Sequence, residues 1–294
     1  MSLSFQPLSL HHQADYSAYL AKCPKVASDY GFINLFGWSA IFGLEIAWTD
    51  KLVWIRQQRP APVLWAPVGD WDAVDWTAWQ ADNPSYFKEF IRVPERLADI
   101  WQEVFDGQMV SKEDRDRWDY IYDARELREL KGNKFHKKKN LVNQFKKKNA
   151  YTYVEMTAEV ADRAMALQDD WCTWRVCESS SQLASENEAI KKTLASWEGL
   201  DGVLGAGIFV DDLIVAYTIG ERLAPDTLAI HFEKGCPDYK GSYQAINQLF
   251  LENQPETVAW VNREPDLGDD GLRQAKLSYH PIEFLKKYRV RFQG

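Results

Sequence analysis

Runs of apolar residues separated by turn residues divide the first half of the chain into predicted strands and helices. The segments IAWTDKLVWIRQQ and PVLWAPVG are rich in Val, Ile and Trp, and turn residues at 49–50 and 60–62 bound them, which predicts strands. DYGFINLFGWSAIFG, WDAVDWTAWQ and ERLADIWQEVF carry apolar residues at helical spacing. A further strand is predicted at FKEFIRVP. The first half is therefore predicted to have mixed α/β structure.

The second half shows a longer regular order of elements. YTYVEM alternates as a strand, a helix capped by Thr157 follows, and a second helix is expected to begin at Ser185, with Glu188 completing a capping box. Three strands come next, with turns at 211–212 and 224–226. The segments KGSYQAINQLFLEN, TVAWVNRE, DDGLRQAKLSY and FLKKYRVRF then predict helix, strand, helix and strand. This order of elements is that of the acyl-CoA N-acyltransferase fold.

An unusual concentration of charge lies between the two halves. The window KGNKFHKKKNLVNQFKKKN, residues 131–149, has eight lysines, one histidine and no acid, although the chain has a formal net charge of −8. The other 275 residues therefore carry −16. ARELREL and this window are predicted to be helical, with a narrow apolar stripe formed by Phe135, Leu141, Val142 and Phe145. The lysines then form either a solvated face or a docking surface for a polyanion such as RNA, a nucleotide cofactor or anionic lipid.

Composition limits the class of protein. Most of the thirteen tryptophans are expected to pack in the core. No basic region precedes an apolar run at the N-terminus, and stretches such as VLGAGIFV are too short to span a bilayer, so no signal peptide or transmembrane segment is predicted. The cysteines at 23, 172, 177 and 236 lack metal-site spacing and are expected to be reduced thiols in a cytoplasmic protein. No metal is expected, and the acidic balance argues against DNA as a partner.

Six segments spread over roughly residues 28–290 carry a resemblance to known proteins: SDYGFINLFGW, APVGD, DYIYDARELRELKGNKFHKKKNLVNQF, GVLGAGIFVDDLIVAYTIGE, HFEKGCPDYKGSYQAINQLF and VNREPDLGDDGLRQAKLSYHPIEFLKKY. They resemble one bacterial family of uncharacterised proteins, which is related to the C-terminal domain of phosphatidylglycerol lysyltransferase. The resemblance implies an α/β (α+β) fold of two tandem acyl-CoA N-acyltransferase (GNAT)-like domains, each a mixed central sheet flanked by helices. We expect these domains at residues 1–149 and 150–294.

The resemblance also implies a donor. Lysyltransferases and the more remote Fem-type peptidyltransferases take an amino acid from aminoacyl-tRNA and form an ester or amide on an acceptor. Fem-type enzymes carry a basic helix at the boundary between their two halves, so the lysine window is expected to dock tRNA. The residues predicted to form this nucleic-acid patch are Lys134, Lys137, Lys138, Lys139, Lys146 and Lys147.

Aminoacyl transfer requires an acceptor that loses a proton, a stabilised oxyanion and a reprotonated leaving group. Glu264 is a candidate base, and strand alternation would place His231 and Glu233 on one face as an acid/base pair. The resemblance matches Lys276 to a lysine associated with activity, so we expect it to stabilise the transition state. The residues predicted to bind substrate are Asn262, Arg263, Asp266, Arg273, Tyr243 and Tyr279. The residues predicted to bind donor phosphate at a helix start are Lys240, Gly241 and Ser242.

Each of these features also has a purely structural interpretation, such as a capped helix, a salt-bridged turn or a packed histidine. Three functions therefore remain open from sequence. The first is an aminoacyl-tRNA-dependent transferase that acts on a small-molecule or peptide acceptor and requires no cofactor. The second is a coenzyme A-dependent N-acyltransferase, although residues 239–243 provide one glycine where a coenzyme A loop has several. The third is a non-catalytic binding protein that retains the fold.

Overall fold

The computed structural model describes residues 3–24 and 26–293 of the chain. Two compact units are present: residues 1–119, 264–273 and 284–294 form the first, and residues 120–263 and 274–283 form the second. Each unit has its own mixed sheet together with helices, which confirms the predicted α/β class.

The first unit is built on a mixed sheet. Its strands are β1 (Gln6–Pro7), β2 (Glu45–Trp48), β3 (Leu52–Gln57), β4 (Val63–Trp65), β5 (Val68–Gly69), β6 (Glu89–Pro94), β7 (Met109–Glu113) and, from the far end of the chain, β15 (Lys287–Phe292). The sheet order is β1-β2-β3-β4-β6-β15-β7, with β5 paired to β3. The pairs are antiparallel except β4 with β6, which is parallel.

Helices and tryptophans fill the rest of the first unit. The helices are α1 (Gln13–Leu20), α2 (Phe32–Phe42), α3 (Trp76–Asp82) and α4 (Glu95–Val104). Trp54, Trp65, Trp71 and Trp76 are all buried, as expected for a tryptophan-rich core. Trp79 is partly exposed and stacks on Trp54 with 4.1 Å between ring centroids. Aromatic packing of this kind adds to the free energy gained from apolar burial.

The second unit has the same plan. Its strands are β8 (Asp119–Asp123), β9 (Tyr151–Glu155), β10 (Val203–Val210), β11 (Leu213–Ala224), β12 (Thr227–Gly235), β13 (Trp260–Asn262) and β14 (Glu283–Leu285), in the order β14-β8-β13-β12-β11-β10-β9. Asp119 of β8 and residues 284–285 of β14 belong to the first unit. Its helices are α5 (Ala124–Glu129), α6 (His136–Lys148), α7 (Ala158–Arg175), α8 (Ser181–Ala195), α9 (Ser242–Glu252) and the second half of α10 (Asp270–Leu277), whose residues 270–273 belong to the first unit. Strands β12 and β13 are parallel, whereas β10, β11 and β12 form the predicted antiparallel meander.

The chain changes units more often than the predicted halves, 1–149 and 150–294, allow. The lysine window falls inside the second unit, because that unit begins at Tyr120. The predicted final strand is split, and its second part, β15, inserts between β6 and β7 of the first sheet. The predicted helix through residues 124–148 is also split, since Leu130 and Gly132 adopt positive φ values between α5 and α6.

Two local expectations in the second unit are corrected. Helix α8 begins five residues earlier than predicted, and its N-cap is Ser180, whose hydroxyl accepts from the N–H of Leu183 at 3.4 Å. Cys172 and Cys177 form a disulfide, whereas the sequence was expected to keep all four thiols reduced. The reason is the left-handed turn at Val176 (φ 51°), which ends α7 and folds Cys177 back onto the last helical turn. Cys23 and Cys236 are free and buried.

None of the helices formed by residues 3–24 and 26–293 has the length and apolar character needed to span a bilayer. In those residues, His, Cys, Asp and Glu side chains nowhere form a group of three or more that could ligate a metal ion.

Candidate functional site

A cluster of polar side chains lies at the carboxyl end of the parallel strand pair in the second unit. We call Lys138, Glu233, Asn247, Arg263 and Tyr279 the Arg263 cluster. Glu233 is near the end of β12 and Arg263 follows β13, and parallel pairing places these two strand ends at the same edge of the sheet. Helix α6 provides Lys138, α9 provides Asn247, and Tyr279 follows α10. Polar residues at such edges commonly form binding sites in α/β proteins.

The centre of the Arg263 cluster is a largely buried ion pair. Arg263 Nη2 donates to Glu233 Oε1 at 3.1 Å, and the side chains are 15% and 10% exposed. Asn247 Nδ2 donates to Glu233 Oε2 at 3.0 Å. Arg263 Nη1 is buried and makes no hydrogen bond of normal geometry with any residue that the structure describes. Glu233 is thus fully engaged, while Arg263 retains donor capacity.

Two further side chains surround the guanidinium. The ring centroid of Tyr279 lies 4.7 Å from Arg263 Cζ and 4.2 Å from Lys138 Nζ. Lys138 is half-buried and has no ion pair with a described carboxylate. Two cations therefore share one aromatic ring. This arrangement favours an anionic or oxyanionic group beside them.

Burial and neighbouring charge set the protonation of the cluster. Burial lowers the pKa of Lys138, and the charge of Arg263 lowers it further, so the neutral amine is more populated than in an exposed lysine. Burial also raises the pKa of Tyr279 to about 12, so this hydroxyl keeps its proton at neutral pH. For Arg263, burial alone would lower the pKa, but Glu233, Tyr279 and Tyr122 together outweigh burial, so the net pKa is raised and the guanidinium stays charged.

Lys276 supports the backbone beside the cluster. It lies in the last turn of α10, and its Nζ donates to the backbone oxygen of Arg263. The Tyr122 hydroxyl donates to the backbone oxygen of Lys276 at 2.9 Å, and Lys276 Nζ is 5.8 Å from the ring centroid of Tyr120. These contacts fix the position of the Arg263 backbone. The predicted role of Lys276 in stabilising a transition state stays a prediction.

His231 and Glu233 have separate partners. His231 Nε2 and Glu221 Oε1 are 2.8 Å apart, and the His231 side chain is fully buried. The register of β12 against β11 shifts at this point, between the pairs Ile219–Phe232 and Gly220–Ile230. His231 is therefore the extra residue of a β-bulge, where simple alternation no longer predicts which way a side chain points.

The other site residues predicted from the end of β13 onwards belong to two different units. Asn262 is fully buried in the second unit. Asp266 and Arg273 belong to the first unit, where Arg273 donates to both oxygens of Asp266 at 2.8–2.9 Å and to Asp116 at 2.7 Å. Glu264 is also assigned to the first unit and adopts a positive φ of 60°. The pairing of Asp266 with Arg273 matches the salt-bridged turn weighed above as a structural alternative.

The predicted phosphate-binding turn is occupied by its own hydrogen bonds. The N–H of Ser242 donates to Tyr239 O at 2.9 Å, and the Ser242 hydroxyl donates to Cys236 O at 3.2 Å. The Tyr243 hydroxyl accepts from Trp171 Nε1 at 2.6 Å, whereas Lys240 is exposed. These donors of Ser242 do not fit the predicted role of binding a donor phosphate, because the tight turn at Gly241 consumes them.

Gly241 instead permits close packing of α9 against α6. Its φ is 94°, and a Cβ built there would lie 2.4 Å from the backbone oxygen of Leu141. We expect Gly241→Ala to lower the free energy of unfolding by about 2–4 kcal/mol, since it combines a left-handed alanine with a clash against backbone. Chemical denaturation measures this. Gly132→Ala is the matched control, because Gly132 has φ 87° but open space around it. Equal losses in the two variants would contradict the packing role.

The positive charge of the lysine window, residues 131–149, is partly balanced by acidic side chains that lie outside the window in sequence. Phe135, Val142 and Phe145 are buried, which confirms the predicted apolar stripe. Acids from outside the window pair with three of its lysines: Lys131 with Glu129 at 3.1 Å, Lys134 with Glu126 at 2.7 Å, and Lys146 with Glu252 at 3.8 Å. The exposed lysines without an ion pair to a described residue are Lys137, Lys139, Lys147 and Lys148.

Sequence reasoning missed three contributors to this region. Asn247 carried no signal, because one amide on an amphipathic helix is unremarkable in sequence. Glu221, the partner of His231, lies in a strand that was expected only to pack. Lys138 was assigned to the nucleic-acid patch, yet it lies over Tyr279 inside the Arg263 cluster. Helical periodicity distinguishes Lys138 from its neighbours only once the buried stripe is positioned against α9.

Comparison with known proteins gives relatives over nearly the whole chain. A conserved protein of unknown function from Bacteroides thetaiotaomicron is 28% identical, with a TM-score of 0.90, and the match covers 99% of this chain and 100% of that one. L-PGS from Bacillus licheniformis shares the fold, at 14% identity and a TM-score of 0.67 over 100% of this chain and 95% of that chain. An uncharacterized protein of Mycoplasmoides gallisepticum is 26% identical over 179 residues, 58% of this chain and 55% of that protein. The chain therefore spans about half the length of this curated relative.

The family resemblance expected from sequence is confirmed by a family model. The model described as "Phosphatidylglycerol lysyltransferase, C-terminal" matches residues 21–291. This match covers most of both compact units and every member of the Arg263 cluster. The chain thus belongs to the phosphatidylglycerol lysyltransferase C-terminal family.

Proposed function

We propose that this protein transfers an aminoacyl group from aminoacyl-tRNA to an amine or hydroxyl acceptor. The observation that carries the proposal is the position of Lys138. The helix with the exposed lysines contributes this side chain directly to the Arg263 cluster, with its Nζ 4.2 Å from the Tyr279 ring centroid. Lys137 and Lys139 are neighbours of Lys138 on α6. A polyanion bound by these two lysines would therefore have one end close to the ion pair of Arg263 with Glu233. Membership of a family named for lysyl transfer supports the same reaction class.

The Arg263 cluster has the groups that this reaction requires. The acceptor nitrogen or oxygen attacks the ester carbonyl carbon of the donor, and the bond from that carbon to the ribose oxygen then breaks. Arg263 and Lys138 supply positive charge for the oxyanion that forms between these two steps. The neutral fraction of Lys138 accepts the proton that the acceptor loses and thereby becomes the cation that stabilises the oxyanion together with Arg263. Lys138 then returns this proton to the departing ribose oxygen. No covalent enzyme intermediate is needed in this scheme.

The donor is tested by the salt dependence of binding to mixed aminoacyl-tRNA. Replacing the exposed lysines Lys137, Lys139 and Lys147 with glutamate is expected to weaken binding strongly. The slope of log affinity against log salt should fall by about 2–3, since three phosphate contacts are lost. The thermal midpoint should change little, because these side chains are exposed.

A control with the same change in net charge separates a local patch from general electrostatics. Lys22, Lys88 and Lys112 are exposed lysines of the first unit. Their replacement by glutamate should leave most of the affinity intact. Equal loss in both triple variants would contradict a docking surface on α6. Binding of acetyl-coenzyme A alone would favour the coenzyme A-dependent alternative, and binding of neither donor would favour a non-catalytic protein.

A further inference from the structure

Strand β9 forms an open edge of the sheet in the second unit. Among the described strands it pairs with β10 alone, because the sheet order ends at β9. The N–H of Met156 donates to Gly205 O at 2.9 Å, and these two residues lie opposite each other in the register of β9 against β10. Hydrogen-bonded pairs alternate along an antiparallel ladder, so Thr152 and Val154 also direct their backbone groups towards β10. The residues whose backbone N–H and C=O groups face away from the sheet are therefore Tyr151, Tyr153 and Glu155.

This edge lacks the features by which proteins usually protect an open strand. The outward-facing backbone groups of β9 make no hydrogen bond with residues 3–24 or 26–293. Protected edges are very short or carry proline, a bulge or several charges. The sequence of β9, YTYVE, has no proline or glycine, and its single charge, Glu155, is at its end. Tyrosine, threonine and valine all favour strands, so β9 is suited to accept a further strand.

The strands at the other three ends of the two sheets are less suited to pairing. Strand β1 has two residues and β14 has three. Strand β7 has five, but Lys112 lies directly opposite Arg289, and Arg291 follows on the same face. Glu89 pairs with both arginines but not with the lysine. A two-fold copy of β7 would set these cations beside their own copies, and like charges in such positions oppose pairing.

We propose that β9 pairs in antiparallel orientation with β9 of a second copy of this chain, with Tyr153 on the two-fold axis. The three outward-facing residues are symmetric about Tyr153. Tyr153 therefore faces its own copy, and Tyr151 faces Glu155 of the second copy. Each of these residue pairs exchanges two backbone hydrogen bonds, so every outward-facing group gains a partner. No like charges lie opposite each other in this register.

Charges at the two ends of β9 favour a second copy of the chain as the occupant. The exposed Lys148 precedes the strand, and the exposed Glu155 and Glu159 lie at its end and just beyond it. An antiparallel copy brings Lys148 of each chain towards the acidic end of the other, and the two-fold axis makes this contact twice. Complementary charges of this kind fix the register of an interface. The pairing does not depend on the proposed aminoacyl transfer.

Cysteine cross-linking of the full chain tests the register. Tyr153→Cys places a thiol on the two-fold axis, where opposed Cα atoms about 5.5 Å apart are within the range of a disulfide. Mild oxidation with copper phenanthroline should give a covalent dimer on a non-reducing gel. Ser111→Cys is the matched control: the N–H of Asp114 donates to Lys287 O, so Ser111 faces outward at the centre of β7, and it should stay monomeric. Two native cysteines are buried and two form a disulfide, so they do not interfere.

Light scattering over a concentration series measures the association itself. The native protein and Ser111→Lys should approach twice the mass of one chain as concentration rises. Tyr153→Lys should weaken the dimer by about tenfold or more, because two lysines meet on the axis. Tyr153→Pro should have the same effect, since it removes an outward-facing N–H that β10 does not use. Thermal unfolding checks that both variants are folded.

Three results would overturn the proposal. The first is a native protein that stays monomeric at every concentration, which would leave the edge open or reserve it for a different peptide. The second is a dimer of native affinity in folded Tyr153→Lys and Tyr153→Pro, which would place the contact on another surface. The third is cross-linking of Tyr153→Cys no faster than that of Ser111→Cys.

Discussion

Replacing Lys287 with methionine is expected to lower the free energy of unfolding by about 3–5 kcal/mol, the largest loss of stability that we predict from one substitution. The Lys287 side chain is fully buried between Asp29 and Asp119. Methionine has a similar length and fills the space, so the loss arises from two carboxylates that remain in the core without their shared cation. Chemical denaturation monitored by tryptophan fluorescence measures the change, because the core of this unit contains several tryptophans.

The adjacent lysine provides a matched control. Lys286 has a side chain that is 37% exposed, pairs with Glu95 at 3.0 Å and precedes the same strand. Lys286→Met should leave the free energy of unfolding within experimental error, since exposed ion pairs contribute little. A similar loss in both variants would show that the buried ion pairs of Lys287 do not stabilise the fold.

The dependence of this loss on pH follows from Asp29. Burial alone would raise the pKa of Asp29, but Lys287 and Arg92 outweigh burial and hold this pKa well below its ordinary range. A depressed folded-state pKa stabilises the protein above the unfolded value near ~4, and this contribution disappears as pH falls through the folded value. Lys287→Met removes part of that contribution. The difference between the native protein and the variant should therefore be largest at neutral pH and should narrow as pH falls below about 4.

Sequence periodicity predicted most elements of both units, because local signals determine them. The meander β10–β12 and the helix α9 follow from alternation and from turn residues. The assignment of β15 to the first sheet could not be predicted, since KYRVRF pairs with strands about 180–200 positions earlier and its own alternation fits either sheet. The same long-range pairing places Lys287 beside Asp29, so local sequence patterns could not predict the buried ion pairs of Lys287 with Asp29 and Asp119 either.

The candidate site shows the same division between local and tertiary information. Arg263 and Glu233 were selected because they follow or end buried strands, and that argument needs only a strand order. Gly241 was interpreted as a phosphate-binding glycine, although it is required by the close approach of Leu141 on another helix. A positive φ can be expected from glycine in a turn, but the neighbour that makes it necessary depends on how α6 packs against α9.

Replacing Arg263 with glutamine is expected to lower aminoacyl turnover by about 100-fold, which corresponds to about 2.7 kcal/mol of transition-state stabilisation. Arg263 is the proposed source of positive charge for the oxyanion, and its Nη1 has no hydrogen bond of normal geometry to a described residue. Turnover is followed as the loss of labelled amino acid from mixed aminoacyl-tRNA in the presence of small amines. Affinity for the tRNA should change much less, because the exposed lysines of α6 are intact.

Two further variants separate this chemical role from a structural one. Arg125→Gln removes an exposed arginine of the same unit, 79% exposed and paired with Glu129, and should retain native turnover. Arg263→Lys keeps a positive charge near Glu233 but has fewer donors, so it should fold more stably than Arg263→Gln and recover only part of the rate. Native turnover in a folded Arg263→Gln protein would remove this arginine from the mechanism. A rate that followed thermal stability across all three variants would indicate that Arg263 acts on folding, because a role in the transition state requires rate and stability to change separately.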